Sequence, residues 1–177
     1  MDSYPKHLAP QLNKGGGVET PFDEWWPRVR QSFSNVPDDV AEQWLHRHWG
    51  SSPFGWLIST RYRFENGTLS SEQLLDIWNT CDDTRDDAIK TGQFRVTQKF
   101  WVRDYMVEHG TFPVPIIVLD NSDAHLASDA DYPDSLEPRP WILVEGHRRY
   151  EVAVGLQQQG KLQPTLPIWW MRRTRPR

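Results

Sequence analysis

An apolar run that ends just before a glycine constrains this chain more than any other feature. Trp141 to Val144 are four consecutive apolar residues, and Gly146 stands two positions after them. The segment from Glu151 to Leu156 then has the composition of a helix. A short apolar run of this kind is typical of a buried strand, and glycine permits a tight turn into the next element. The pattern predicts a strand–glycine–helix unit within an α/β fold.

The turn of this unit carries basic residues. The first backbone N–H groups of a helix have no partner inside the helix and form its positive end. Arg148 and Arg149 follow Gly146 and His147 directly, and guanidinium groups match phosphate oxygens in charge and geometry. We therefore expect these four residues to bind phosphate, most simply that of a nucleotide. His147 is expected to act as a general base or phosphate ligand, or to cap the helix. The plainer interpretation is an ordinary helix start with surface arginines.

The box Gly146–Tyr150 resembles two related motifs. One is the G-E-R-R-x-R-A box of ParB-type partition proteins, and the other is the G-C-H-R-Y box of sulfiredoxin, which shares their fold. The flanks agree with the resemblance, because a predicted helix at Trp101–His109 and strands at Pro115–Leu119 and Leu166–Trp170 surround the box. The resemblance covers about Arg95–Met171. It implies a ParB/sulfiredoxin-like α/β fold with a small mixed sheet, in a protein of bacterial DNA-related or mobile-element processes.

The resemblance also implies ligands and activities. ATP or CTP with Mg²⁺ is the implied cofactor, and NTP hydrolysis and DNA cleavage by a nuclease are the activities of some relatives. Polar ligands in this fold follow the first strand, where this chain has Asp120 and Asn121. His147 replaces the reactive cysteine of sulfiredoxin, so we expect no reductase activity of that type. Glu151 replaces an arginine of ParB, and the helix-turn-helix reader and second phosphate motif of ParB are missing.

Four segments are expected along the chain. Residues 1–20 are polar and glycine-rich and are predicted to be flexible, and residues 21–94 form a mainly helical, tryptophan-rich region. Residues 95–171 form the ParB/sulfiredoxin-like domain, and residues 172–177 form a basic tail. A chain of 177 residues can bury one good core, so the helical region and the α/β domain are expected to share it.

Local signals place several elements of the first half. Pro37 and the two acids after it predict a helix start. Ser70 and Gln73 have the spacing of a capping box. Residues 56–64 fit a strand or a continued helix equally well. Thr97 is expected to cap the helix that begins near Trp101, and Gly110 is expected to end that helix.

The ten tryptophans are the compositional oddity of the chain. We expect most of them in the core, because a small protein needs large apolar side chains there. Indole rings also serve as anchors at protein interfaces. This gives an alternative function: a non-catalytic interaction module that docks a protein partner through the tryptophan-rich half, with a purely structural phosphate site.

A net charge of −4 argues against a generally basic nucleic-acid-binding protein. One dense basic patch stands beside two aromatic residues near the C-terminus. Its members are Arg172, Arg173, Arg175, Arg177, Trp169 and Trp170. Arginines and stackable rings form the grooves that bind single strands, so this patch is the candidate contact for DNA. The alternative is a solvated tail.

A loop of about 20 residues separates the two central strands, which is longer than compact domains need. The loop runs from Asp120 to Pro140 and contains six acidic residues. It is either a solvated insertion or a carboxylate cluster that holds a divalent ion over the phosphate site. No residue is singled out as a metal ligand. His46 and His48 are two apart, which is wrong for a helical metal pair, so we expect a solvent-facing His46 and a packed His48.

The remaining signals concern the compartment. No apolar run approaches the roughly 20 residues that span a membrane, and residues 1–17 lack an apolar signal core. The single Cys81 excludes an intramolecular disulfide. A cytoplasmic protein without membrane partners is predicted.

Overall fold

The computed structural model describes residues 1, 4–82, 84–128 and 140–174. The chain forms two compact units, residues 1–64 with the C-terminal residues from Arg172, and residues 65–171. The sequence predicts the main boundary between residues 94 and 95, whereas the structure divides the chain between Phe64 and Glu65. The difference arises because the segment 65–94 packs onto the core of the second unit.

Five α-helices lie within the described ranges. They are α1 (Phe22–Val29), α2 (Asp38–Val40), α3 (Arg85–Thr97), α4 (Trp101–His109) and α5 (His147–Gln157). Helix α2 continues as a wider π-helical segment, Ala41–His46. Short 3-10 turns occur at Lys6–Leu8, Arg30–Phe33, Ser59–Arg61, Ser71–Asp76 and His125–Ser128. None of these helices is long and apolar enough to cross a membrane.

The described strands form one five-stranded sheet. They are β1 (Tyr62–Ser70), β2 (Ile77–Trp78), β3 (Ile116–Asp120), β4 (Trp141–Glu145) and β5 (Thr165–Arg173), in the order β1-β5-β3-β4-β2. Strand β4 runs antiparallel to β3 and parallel to β2, so the sheet is mixed. The predicted α/β class with a small mixed sheet is confirmed at this level of detail.

The first unit is built around aromatic side chains. Trp25, Trp26, Phe33 and Trp49 are buried and pack ring against ring, with centroid distances of 5.7–6.5 Å. The Trp25 Nε1 donates to the carbonyl oxygen of Leu8 at 2.8 Å. The segment expected to be flexible is therefore tied to this cluster. Most tryptophans of the unit lie in its core, as the sequence predicts.

The prediction for His46 is wrong. Its ring packs against Trp25 at 5.2 Å and edge-on against Phe22 at 5.5 Å, and its Nε2 donates to the carbonyl oxygen of Thr20 at 2.7 Å. The π-helical winding of Ala41–His46 changes the face on which His46 lies compared with a regular α-helix. Sequence spacing assumes regular winding and therefore misplaces this side chain.

The second unit has a conventional aliphatic core. Residues 116–119 of β3 are completely buried, and α5 lies over the sheet with residues 150–156 buried. Helix α5 packs mainly against α3 and also contacts α4 and β3. Residues 150–156 cover all sides of the helix, so this part of α5 has no solvent-exposed face. This is typical of a helix that other elements enclose on several sides.

Helices α3 and α5 cross at a pair of glycines. A Cβ atom on Gly92 would lie 2.7 Å from the Gly155 backbone nitrogen, and a Cβ on Gly155 would lie 2.5 Å from Val96 Cγ2. The two backbones are therefore too close for any side chain at the crossing. Beside the glycines, Arg95 Nε donates to Glu151 Oε2 at 2.5 Å, and the Glu151 side chain is only 8% exposed. This ion pair gives the buried Glu151 carboxylate its counter-charge.

Two local predictions are confirmed and one is wrong. Ser70 and Gln73 form the predicted capping box, which opens the 3-10 turn. Gly110 ends α4 in a left-handed conformation with φ of +66°. Thr97, however, is the last residue of α3 rather than a cap of α4. Thr84 caps α3 through its side chain, and α3 extends from Arg85 to Thr97.

We expect Gly155→Ala to destabilise the protein by about 1–3 kcal/mol, because the added methyl group would meet backbone atoms that cannot move aside. The higher helix propensity of alanine offsets about 1 kcal/mol of the steric cost. Urea unfolding followed by circular dichroism measures the change. The control is Lys90→Ala at an exposed position of α3, expected within about 0.5 kcal/mol of wild type. A Gly155→Ala variant as stable as this control would contradict the close crossing.

Candidate functional site

The predicted strand–glycine–helix unit is present. Strand β4 ends at Glu145, Gly146 adopts a left-handed conformation with φ of +102°, and α5 begins at His147. A Cβ atom on Gly146 would also lie 2.6 Å from Ile116 Cγ2. Glycine is therefore required twice at this position, by backbone conformation and by close packing.

The start of α5 has the features of an anion site. Gly146 has no side chain that could accept a hydrogen bond from the first turn, and the first intrahelical bond runs from the Tyr150 N–H to the Gly146 carbonyl oxygen at 2.9 Å. The first turn contains no acidic residue. The positive end of the helix is therefore left without a carboxylate from its own first turn.

The two arginines of the box have different environments. Arg148 is exposed on the surface of α5. Arg149 is only 11% exposed, and its Nη1 donates to the carbonyl oxygens of Val114 at 2.8 Å and Pro115 at 3.3 Å. Its Nη2 lies 3.5 Å from Glu145 Oε1. Arg149 thus fastens α5 to the segment before β3, whereas Arg148 can reach a ligand in solvent.

His147 is half-buried as the first residue of α5. Its position beside the helix start is the one that the sequence predicts for a general base or phosphate ligand. Glu145, the carboxylate that precedes the turn, lies beside Arg149. Because that carboxylate is engaged by a guanidinium, the described residues of the box do not form a Mg²⁺ site of their own.

The structure separates Asp120 and Asn121 from the box. In the antiparallel pair, Asp120 lies opposite Trp141, whereas Ile117 lies opposite Glu145. Four residue steps along β4, from Trp141 to Glu145, thus separate the two places, which corresponds to about 13 Å. Asn121 is buried and its Oδ1 accepts from the Leu126 N–H at 3.1 Å, so it shapes the loop after β3. These two residues are not brought together with Gly146–Arg149.

The loop after β3 is also separated from the box. Its described part begins at the end of the sheet that lies away from the box, and residues 129–139, with Asp129, Asp131, Asp134 and Glu137, lie outside the described residues. Asp123 pairs with the His125 ring at 2.5 Å, and this hydrogen bond lowers the pKa of the Asp123 carboxyl. No group of three or more potential metal-ligating residues occurs in the ranges that the structure describes.

The C-terminal candidates lie mostly within β5. Trp169 is buried, and Trp170 is half-buried with its ring edge-on to Trp141 at 5.4 Å. A base-stacking platform needs an accessible ring face, so Trp169 does not provide one. Arg172 is half-buried and Arg173 is exposed at the end of the strand. Arg175 and Arg177 lie outside the described residues, so a nucleic-acid contact there stays a prediction.

A cavity of about 450 Å³ lies at the other end of β4. Trp78 of edge strand β2, Trp141 of β4, Tyr150 of α5 and Asp82 before α3 line it. Burial, followed by the nearby Asp82 carboxylate, raises the pKa of the Tyr150 hydroxyl, which donates to the Ile77 carbonyl oxygen at 3.1 Å. Sequence reasoning missed this cavity, because β2 has two residues and shows no periodicity.

Cys81 stands next to the cavity-lining Asp82. Burial, together with the Glu151 and Asp82 carboxylates, raises the pKa of the Cys81 thiol despite a stabilising hydrogen bond from Thr80. A raised thiol pKa means less thiolate at neutral pH and a poorer nucleophile.

Comparison with known proteins adds no assignment. No family model matches the chain, and searches of curated proteins and of solved structures found no match.

We expect Arg149→Met to lower stability by about 1–3 kcal/mol, because the Val114 and Pro115 carbonyls and Glu145 would lose a charged donor. Arg148→Met removes the same charge one residue earlier from an exposed position and should change stability by less than about 0.5 kcal/mol. Chemical unfolding of both variants measures the difference. Equal effects of the two substitutions would show that Arg149 does not anchor α5.

Proposed function

We propose that this protein binds a phosphate-bearing ligand, most simply a nucleotide such as ATP or CTP, at the start of α5. The observation that carries the proposal is the left-handed Gly146 between β4 and α5, followed by a first turn without acidic residues. Backbone N–H groups at such a turn favour phosphate oxygens through hydrogen bonds and through the helix dipole. The buried strand β4 holds this turn in place from one side.

Within this proposal the box residues have distinct roles. Gly146 permits the close approach of the backbone, and exposed Arg148 provides the mobile charge. Arg149 is a positioning residue, since its guanidinium is directed to the Val114 and Pro115 carbonyls. His147 is the first residue of the helix, so it lies beside the phosphate-binding turn. When its ring is protonated, it adds a second positive charge there.

The order of elements supports a ParB/sulfiredoxin-like fold as part of the proposal. Helix α4, strand β3, strand β4, the glycine turn, helix α5 and strand β5 follow one another as the resemblance implies. Turnover of the nucleotide or cleavage of DNA would be a further property. The described carboxylates near the box supply no metal site for it. Mg²⁺ would therefore have to arrive on the nucleotide.

The alternative of a protein-interaction module has one observation in its favour. The large aromatic side chains that are most exposed among the described residues are Phe94 at 60% and Trp101 at 64%. They belong to α3 and α4, whereas the tryptophans of the first unit are largely buried. If the chain docks a protein partner, this aromatic pair is the candidate anchor. The tryptophan-rich segment as a whole is not a candidate anchor.

Thermal denaturation with pyrophosphate, ATP and CTP, each with and without Mg²⁺, tests the phosphate proposal. A ligand that binds only the native state stabilises it by about 2.7 kcal/mol at a concentration near 100 times its Kd. Arg148→Ala should weaken binding by about ten- to a hundredfold, because a charged hydrogen bond to phosphate is lost. Lys161→Ala removes one charge near the opposite end of α5 and should leave binding unchanged.

The result that would contradict the proposal is a melting temperature that no phosphate ligand changes at millimolar concentration. Equal loss of binding in Arg148→Ala and Lys161→Ala would also contradict it, since general charge attraction would then explain the affinity.

A further inference from the structure

The cavity beside β2 has the size of a small-molecule site. Its volume of about 450 Å³ lies within the range of roughly 300–1,000 Å³ that such sites occupy. Apolar walls come from Leu75, Ile77, Ala88 and Pro140. The lining belongs entirely to the second unit, and it lies at the end of β4 away from the phosphate box.

Asp82 places a buried negative charge in this lining. The residue is 7% exposed, and its carboxylate oxygens accept from Asn79 Nδ2 at 2.7 Å and from Thr91 Oγ1 at 3.1 Å. Both donors are neutral. Among the described residues, no lysine, arginine or histidine lies within ion-pair distance of this carboxylate. Buried carboxylates are normally paired with a cation, because an uncompensated charge is costly to bury.

Glu151 provides the internal comparison. It is buried to the same degree as Asp82, yet it has Arg95 at 2.5 Å. The Arg95 guanidinium therefore neutralises the buried carboxylate of Glu151, whereas the buried carboxylate of Asp82 faces the cavity. The missing counter-charge of Asp82 points to a ligand.

The other charged groups of the lining do not supply that counter-charge. Arg85 and Asp76 form an ion pair at 2.5 Å, and both side chains are largely exposed. Together they contribute no net charge. The Tyr150 hydroxyl stays protonated, because burial raises its pKa, and it donates to the protein backbone. The described lining thus carries one net negative charge, on Asp82.

The character of the walls distinguishes between kinds of cation. A hydrated metal ion requires several oxygen ligands, and the described residues hold no group of three that could provide them. Trp78 and Trp141 line the cavity instead, and indole faces attract organic cations through their quadrupole. Carboxylate, indole and aliphatic walls together favour a cation with an apolar body.

We propose that this cavity binds a small organic cation, an ammonium or amidinium group on an aromatic or aliphatic body, with Asp82 as its counter-ion. Trp78 and Trp141 contact the body of the ligand. This position is distinct from the phosphate site at the start of α5, because Trp141 and Gly146 lie at opposite ends of β4.

Isothermal titration calorimetry with two probes of equal shape tests the proposal on the wild-type chain. Benzamidine carries a positive charge and benzamide is its neutral counterpart. We expect benzamidine to bind at least about tenfold more tightly, since only the cation pairs with Asp82. Equal affinity of the two probes, or no binding of benzamidine at millimolar concentration, would overturn the proposal.

Two variants locate the binding. Asp82→Asn keeps the shape of the side chain and should remove the preference for benzamidine. Asp86→Asn neutralises an exposed carboxylate in the first turn of α3 and should preserve the preference. Unchanged preference in Asp82→Asn would overturn the assignment. If Asp82→Asn does not fold, quenching of tryptophan fluorescence by benzamidine is compared between wild type and Trp78→Leu. We expect weaker quenching in Trp78→Leu, because Trp141 remains in the lining, and undiminished quenching would overturn the proposal.

Discussion

The crossing of α3 and α5 at Gly92 and Gly155 is the contact on which the second unit depends. Direct contact between backbones is the closest approach that two helices can make. At this crossing it fixes the position of α5 along its axis. The Arg95–Glu151 pair then selects the rotation of α5, because a buried carboxylate must face its guanidinium. When these two contacts fix the position and the rotation of α5, the Tyr150 hydroxyl donates to the Ile77 carbonyl oxygen. The helix then begins directly after the turn that ends β4.

This placement gives β4 two chemically different ends. Glu145 and Gly146 lead into the positive start of α5, whereas Trp141 borders a cavity with a buried carboxylate. Antiparallel pairing with β3 places Asp120 at the cavity end, about 13 Å from the helix start. An anion and a cation are thus expected at separate positions. A single site that combines Asp120 with Arg148 is inconsistent with the register.

The sequence predicts the elements that carry their own signals. The apolar run of β4, the capping box at Ser70 and the glycine after α4 are confirmed because propensity and local hydrogen bonding decide them. Strand β2, the length of α3 and the place of His46 were missed, since a two-residue strand lacks periodicity and π-helical winding breaks it. The different roles of Arg148 and Arg149 depend on the Val114 and Pro115 carbonyls, which are distant in sequence. No local sequence pattern could therefore have predicted the different roles of the two arginines.

Amide chemical-shift mapping with pyrophosphate locates the phosphate site residue by residue. In a ¹⁵N-labelled sample, we expect saturable shifts at the amides of residues 146–149. Residues near the cavity, such as Asn79 and Trp141, should not shift. The same titration reports the position of binding without relying on any substitution. Shifts that centre on the cavity, or that spread over the basic surface without saturating, would contradict a phosphate site at the start of α5.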